Sequence, residues 1–147
     1  MKEQLTAITL LLLVAGKAAC AQDKIATYAV GKPGTATYEH LSFWVQNGRR
    51  TAIYYTYGAD RKEAKVKYFG KTKLKNKPGF KVQFSNGHVL SLIPSGLLLT
   101  VVDATGKAPK TFAWEYEGPI NGIGTFCQDC AADEKEAMQV LRTYYLN

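Results

Sequence analysis

The sequence is poor in the residues that do chemistry. Its 147 residues include two histidines, His40 and His88, and three cysteines. A zinc centre takes about four Cys, His or carboxylate ligands, and no histidine cluster or paired-carboxylate motif supplies them. A nucleophile elbow is excluded, because Ser95 stands in Pro94-Ser95-Gly96 and not in a G-x-S-x-G frame. Gly70-Lys71-Thr72 ends like a phosphate-binding loop, but Lys65 occupies the place of its first glycine and no helical pattern follows. Repeats, low-complexity tracts and linkers are missing too. No metal and no cofactor is implied, and a binding or structural module is expected rather than an enzyme.

Long apolar runs are equally scarce. The one that stands out, Leu5 to Ala15, follows a short polar start with Lys2 and is too short to span a bilayer. With Ala19-Cys20-Ala21 behind it, it reads as a signal peptide over residues 1–21, cleaved before Gln22. Cys20 leaves open a lipid anchor instead. The expectation is an exported protein, periplasmic or secreted, with no transmembrane segment in a mature chain of one domain, residues 22–147.

Acidic residues are few beside basic ones, 12 against 19, for a net charge of +7. The imbalance is local. Residues 49–81 hold eleven Lys/Arg against Asp60 and Glu63, whereas residues 115–147 hold six acids against Lys135 and Arg142.

What the chain does have is β pattern. Short runs rich in β-branched and aromatic residues, punctuated by Gly, Asn and Pro, predict strands near 25–30, 36–46, 49–57, 64–69, 71–75, 80–85, 88–93, 97–102 and 110–116. Asn47-Gly48 and Asn86-Gly87 predict two-residue hairpins, whose turn needs positive φ at both positions. Pro94-Ser95-Gly96 and Asp103 to Lys107 read as further turns. From about Ala131 the period becomes helical, with Ala137, Val140, Leu141, Tyr144 and Tyr145 in phase. Asp133, Glu134 and Glu136 suit the positive end of that helix's dipole. The expected fold is α+β and mostly β: an antiparallel meander, as a curled sheet, sandwich or barrel, closed by one C-terminal helix.

Three features are candidates for function. Cys127 and Cys130 form a C-x-x-C before the helix. A reactive thiol needs a depressed pKa, and Asp129, Asp133 and Glu134 oppose it. In an oxidising compartment the pair reads as a disulfide staple, with a thiol–disulfide redox protein as the alternative. Lys65, Lys67, Lys71, Lys73 and Lys75 alternate with apolar residues. They read as a solvated, edge-protecting face or as a site for an envelope polyanion. If the two lysine runs paired as a hairpin, like charges would repel across it. No regular aromatic interleaving accompanies them, so sequence-specific nucleic-acid binding is not expected.

The third candidate comes from the Asn47-Gly48 hairpin. An unbroken register pairs Gln46 with Arg49, Trp44 with Thr51, His40 with Tyr55 and Tyr38 with Tyr57. That gathers Tyr38, His40, Trp44, Tyr55 and Tyr57 on one face, the usual lining of a small-molecule or glycan site. Leu41, Phe43, Val45, Ala52 and Tyr54 then face the core. The plain alternative is that the aromatic face packs against the C-terminal helix, through Tyr144 and Tyr145.

Overall fold

The structure, a computed structural model, describes residues 23–116, 127 and 129–147. The leader at 1–21, Cys20 and the Gly122 to Gly124 turn lie outside the described residues. Eight antiparallel strands follow one another as a meander: β1 Lys24–Val30, β2 Glu39–Gln46, β3 Arg49–Tyr57, β4 Lys62–Leu74, β5 Lys77–Gln83, β6 Val89–Ser95, β7 Leu98–Asp103 and β8 Lys110–Trp114. β8 returns to β1, with Tyr28 opposite Trp114 and Ala29 opposite Ala113, so the sheet closes into a barrel. Closure removes the unpaired edges that a strand-rich chain otherwise exposes.

Alternation along each strand sends one set of side chains inward. Ala26, Tyr28, Leu41, Phe43, Ile53, Val66, Phe80, Val82, Leu92, Leu99 and Phe112 fill a single buried core. Burying each large side chain of this kind contributes about 1.5–3 kcal/mol relative to exposure. The outer surface carries Lys65, Lys67 and Thr100 instead.

The meander puts its connections alternately at two ends, and the ends differ. At one, the turns are tight. Asn47 and Gly48 have φ of 50° and 70°, the positive pair that their hairpin requires. Lys75 and Asn76, with φ of 48° and 64°, make a second such turn, so the strand expected over 71–75 ends one residue earlier. Leu98 pairs with Ser95, so the third turn is Gly96-Leu97, and Pro94 and Ser95 belong to β6. At the other end the connections are longer: 31–38, 58–61, 84–88 and 104–109. Asn86-Gly87 falls in this set. Phe84 N–H bonds to the His88 carbonyl, and of the Asn-Gly pair only Gly87 has positive φ, so the two-residue reading is corrected to a longer loop.

The tail plugs the tight-turn end. Helix α1, Glu134–Leu141, starts at Asp133, whose carboxylate accepts the Glu136 N–H at 2.8 Å. Glu136 reaches back to the Ala132 N–H and ion-pairs with Lys24 at 2.8 Å, tying α1 to β1. Ala132 N–H first, and then Lys24, hold the Glu136 carboxyl below its ordinary range. A final π-helical turn, Arg142–Leu146, drops Tyr145 into the barrel, fully buried against Phe43 and Phe80.

Two expected strands are one. Residues 64–69 and 71–74 both lie in β4, with Lys75 in the turn that follows, so they do not pair with each other, and the anticipated repulsion across a lysine hairpin does not arise. Between them the register with β5 slips at Phe69-Gly70.

Candidate ligand-binding site

The site at the long-loop end begins with a displaced register. Trp44 lies opposite Ala52, but Val45 lies opposite Arg50, so Thr51 is an extra residue in β3. Such a bulge reverses the facing of everything beyond it. The unbroken pairing expected from Asn47-Gly48 holds for Gln46 with Arg49 and Val45 with Arg50, and fails from Trp44 onward. Beyond the bulge His40 pairs with Thr56, Leu41 with Tyr55, Ser42 with Tyr54 and Glu39 with Tyr57.

The five aromatic candidates are therefore split between the two faces of the wall. Tyr38, His40 and Trp44 keep to the outer face of β2, and Tyr54, expected in the core, joins them with its ring 5.9 Å from that of Trp44. Tyr55 and Tyr57 turn to the barrel interior beside Leu41 and Glu39. Tyr145, in the π-helical turn after α1, packs its ring on Phe43, Phe80 and Tyr68 and not on any of the five candidates.

On the outer face, His40, Ser42, Trp44, Tyr54 and Glu63 line a shallow recess of about 210 Å³. Ser42 Oγ lies 3.2 Å from both His40 Nε2 and Thr27 Oγ1, a polar chain along the wall. The Trp44 indole N–H is buried without a hydrogen-bond partner among the described residues.

The inner pair opens on a larger space. Tyr55 and Tyr57 stack with centroids 5.5 Å apart, and Phe84 meets Tyr55 edge-on at 5.3 Å. Together with Ala64, Leu90 and Val101 they wall a cavity of about 650 Å³ among the long loops. That size suits a drug-sized molecule, and the mouth of a barrel is a usual place for one. The Tyr55 hydroxyl donates to Glu39 Oε2 at 2.8 Å, and Lys110 Nζ holds the other carboxylate oxygen. Burial, with the Glu39 hydrogen bond second, pushes the Tyr55 phenol above its ordinary pKa, so it stays a neutral donor.

The rim is shaped by the 104–109 loop. Asp103 Oδ1 accepts the Thr105 hydroxyl at 2.6 Å, the Thr105 N–H at 3.0 Å and the Lys107 N–H at 3.3 Å. The Thr105 hydroxyl leads in holding the Asp103 carboxyl below its ordinary range. Ala108, which lines the cavity, has φ of 49°, an uncommon conformation for alanine that functional loops often retain.

Sequence reasoning reached Tyr55 and Tyr57 here but not Glu39, Phe84, Lys107 or Lys110. The available signal was Phe84 and His88 flanking the Asn86-Gly87 loop; their rings sit 5.7 Å apart. The closure that brings Lys110 to Glu39 spans 71 residues and leaves no local mark.

The other candidates are placed as follows. Cys127 and Cys130 form a disulfide, with Cα atoms 5.3 Å apart. Beside it the Ile25 N–H donates to the Asp129 carbonyl at 2.7 Å, and the Ala131 N–H donates to the Ile25 carbonyl at 2.8 Å. The bridge thus ends a segment that extends the barrel wall along β1. All five lysines are exposed. They do not share one face: Lys65 and Lys67 point outward, while past the bulge Lys71 and Lys73 pair with Phe80 and Pro78 on the continuation of the inner face. Among the described residues, no group of three or more His, Cys, Asp or Glu is placed to hold a metal ion. None of their helices is long and apolar enough to cross a membrane. Comparison with protein-family models, curated proteins and solved structures finds no match.

Proposed function

We propose that this protein is a small exported binding module of the cell envelope, which holds a small molecule in the mouth of its barrel without transforming it. One observation carries the reading: a cavity of about 650 Å³, walled by the Tyr55–Tyr57 stack and Phe84 and floored by Leu90 and Val101, sits at the end where all the long loops gather. Loops on a rigid scaffold are where recognition concentrates. The opposite end, with its tight turns and its Tyr145 plug, serves stability.

The disulfide fits the same reading as a staple. It closes a sequence separation of three residues beside the strand-like contact with Ile25. Export rests on the leader pattern at 1–21 and on the disulfide, which oxidising compartments favour. Mass spectrometry of the envelope form is expected to find Gln22 as the first residue; Met1 there would overturn the reading of residues 1–21 as a cleaved signal peptide.

The cavity is tested with N-phenylnaphthylamine, an uncharged aromatic whose fluorescence rises in apolar sites. Wild type is expected to bind it, and Ala64→Trp, which fills the cavity from β4, to abolish the signal while keeping the urea midpoint within about 1 M. A signal unchanged by Ala64→Trp in the folded protein would refute the mouth as the site.

A further inference from the structure

Resting on that reading of the mouth, the donors left over in the cavity identify the chemistry of what enters it. Glu39 is fully committed, one oxygen to the Tyr55 hydroxyl and the other to Lys110. Asp103 is tied through Oδ1 to its own loop, which leaves its Oδ2 as the one open carboxylate oxygen of the lining. The donors are different. Among the described residues, neither the Lys107 ammonium, nor the Asn86 side-chain amide N–H, nor either ring nitrogen of His88 has a hydrogen-bond or ionic partner within the protein, and all three residues line the cavity.

Register adds a third lysine to the rim. Lys62 stands directly opposite Tyr57 in the β3–β4 pair, on the strand face that continues the cavity wall. Lys62, Lys107 and Lys110 thus approach the opening from β4, the 104–109 loop and β8. Below them the lining is apolar and aromatic. Tyr57, 42% exposed, offers one ring face while the other stacks on Tyr55 at 25°. A flat apolar body can lie on that ring.

We propose that the ligand is a planar, apolar molecule bearing an anionic group, a carboxylate or sulfonate, with its rings against Tyr57 and Phe84 and its charge at Lys107 and Lys110. At the opening three ammonium groups stand against the Glu39 and Asp103 carboxylates, and a cationic ligand would have to displace Lys110 from Glu39. A neutral one would leave the rim donors to water. Without residues 1–21 the chain keeps 17 Lys/Arg against 11 Asp/Glu, a net +6 that draws anions to the surface from a distance, and the Tyr55–Glu39 pair holds Lys110 at the opening.

The test compares N-phenylnaphthylamine with anilinonaphthalene sulfonate, which differs from it by one anionic group. The sulfonate is expected to bind about tenfold tighter or better, as a charge-assisted contact implies. Raising the salt is expected to weaken the sulfonate alone. The double variant Lys107→Gln/Lys110→Gln is expected to bring the sulfonate down to the affinity that the same variant has for the neutral probe. Lys73→Gln, at the far end of the barrel, is expected to change neither. Equal affinity for the two probes, or a loss in Lys73→Gln as large as in the rim variant, would overturn the anionic assignment while leaving the mouth as a site. Failure of both probes to bind would overturn the mouth reading itself, and this inference with it.

Discussion

Tyr145→Ala tests whether the tail is part of the barrel core or an accessory laid on it. Tyr145 is fully buried, with ring centroids 5.2 Å from Phe80, 5.3 Å from Phe43 and 6.1 Å from Tyr68. Truncating a buried aromatic to alanine costs about 3–5 kcal/mol, in lost transfer energy and in the cavity left behind. That is a large share of the roughly 5–15 kcal/mol by which a domain is stable. Tyr145→Phe separates the hydroxyl from the ring. The hydroxyl donates to the Trp44 carbonyl at 3.2 Å, and that oxygen also accepts Thr51 Oγ1 at 3.4 Å. Because the carbonyl keeps a partner, the loss is expected near the low end for one hydrogen bond, about 0.5–1 kcal/mol. Tyr144→Ala is the control: the Arg50 guanidinium bonds to its backbone carbonyl at 2.9 Å, which the substitution keeps, so its cost is expected below about 1.5 kcal/mol. Urea unfolding followed by Trp44 and Trp114 fluorescence reads all three, as midpoint shifts at constant slope. A cost below about 1 kcal/mol for Tyr145→Ala, or equal costs for Tyr144→Ala and Tyr145→Ala, would refute the plug.

Three further outcomes follow from the same packing. Tyr28 and Tyr145 have their phenol pKa values raised above the ordinary value of 10.0, chiefly by burial, so their stabilising effect is complete below pH 10 and is lost as pH climbs toward the folded values. Each is expected to lower stability by about 1.4 kcal/mol per pH unit above 10; ultraviolet titration showing both ionised in the folded protein near pH 10 would contradict it. Gly79→Ala is expected to cost about 1–3 kcal/mol by overpacking, because its Cβ would collide with the Leu92 carbonyl oxygen and Ile93 Cδ1; a midpoint matching wild type would show that β5 and β6 can separate there. Reducing Cys127–Cys130 is expected to cost about 2 kcal/mol or less, since the closed loop is very short, and to increase hydrogen exchange at Ile25 and Ala131 before the barrel core; global unfolding on reduction alone would make the bridge more than a staple.

The sequence by itself determined the local elements. Asn47-Gly48 specified its turn because few residues tolerate positive φ twice in succession. The switch to a helical period near Ala137 marked α1, although the helix begins at Glu134, after its Asp133 cap, and not at Ala131. The C-x-x-C could be read as a disulfide because the leader pattern implies an oxidising compartment and the neighbouring carboxylates disfavour a reactive thiolate. The tertiary structure decided what depends on counting residues across space. One extra residue, Thr51, reversed the facing of β3 and sent Tyr55 and Tyr57 inward while Trp44 stayed outside. The slip at Phe69-Gly70 did the same to the lysines of β4. Side chains alternate with a period of two, so a single inserted residue changes no composition and no periodicity score, yet exchanges the two faces. The pairing of Lys110 with Glu39, and with it the polar edge of the mouth, exists only because β8 returns to β1 and closes the barrel.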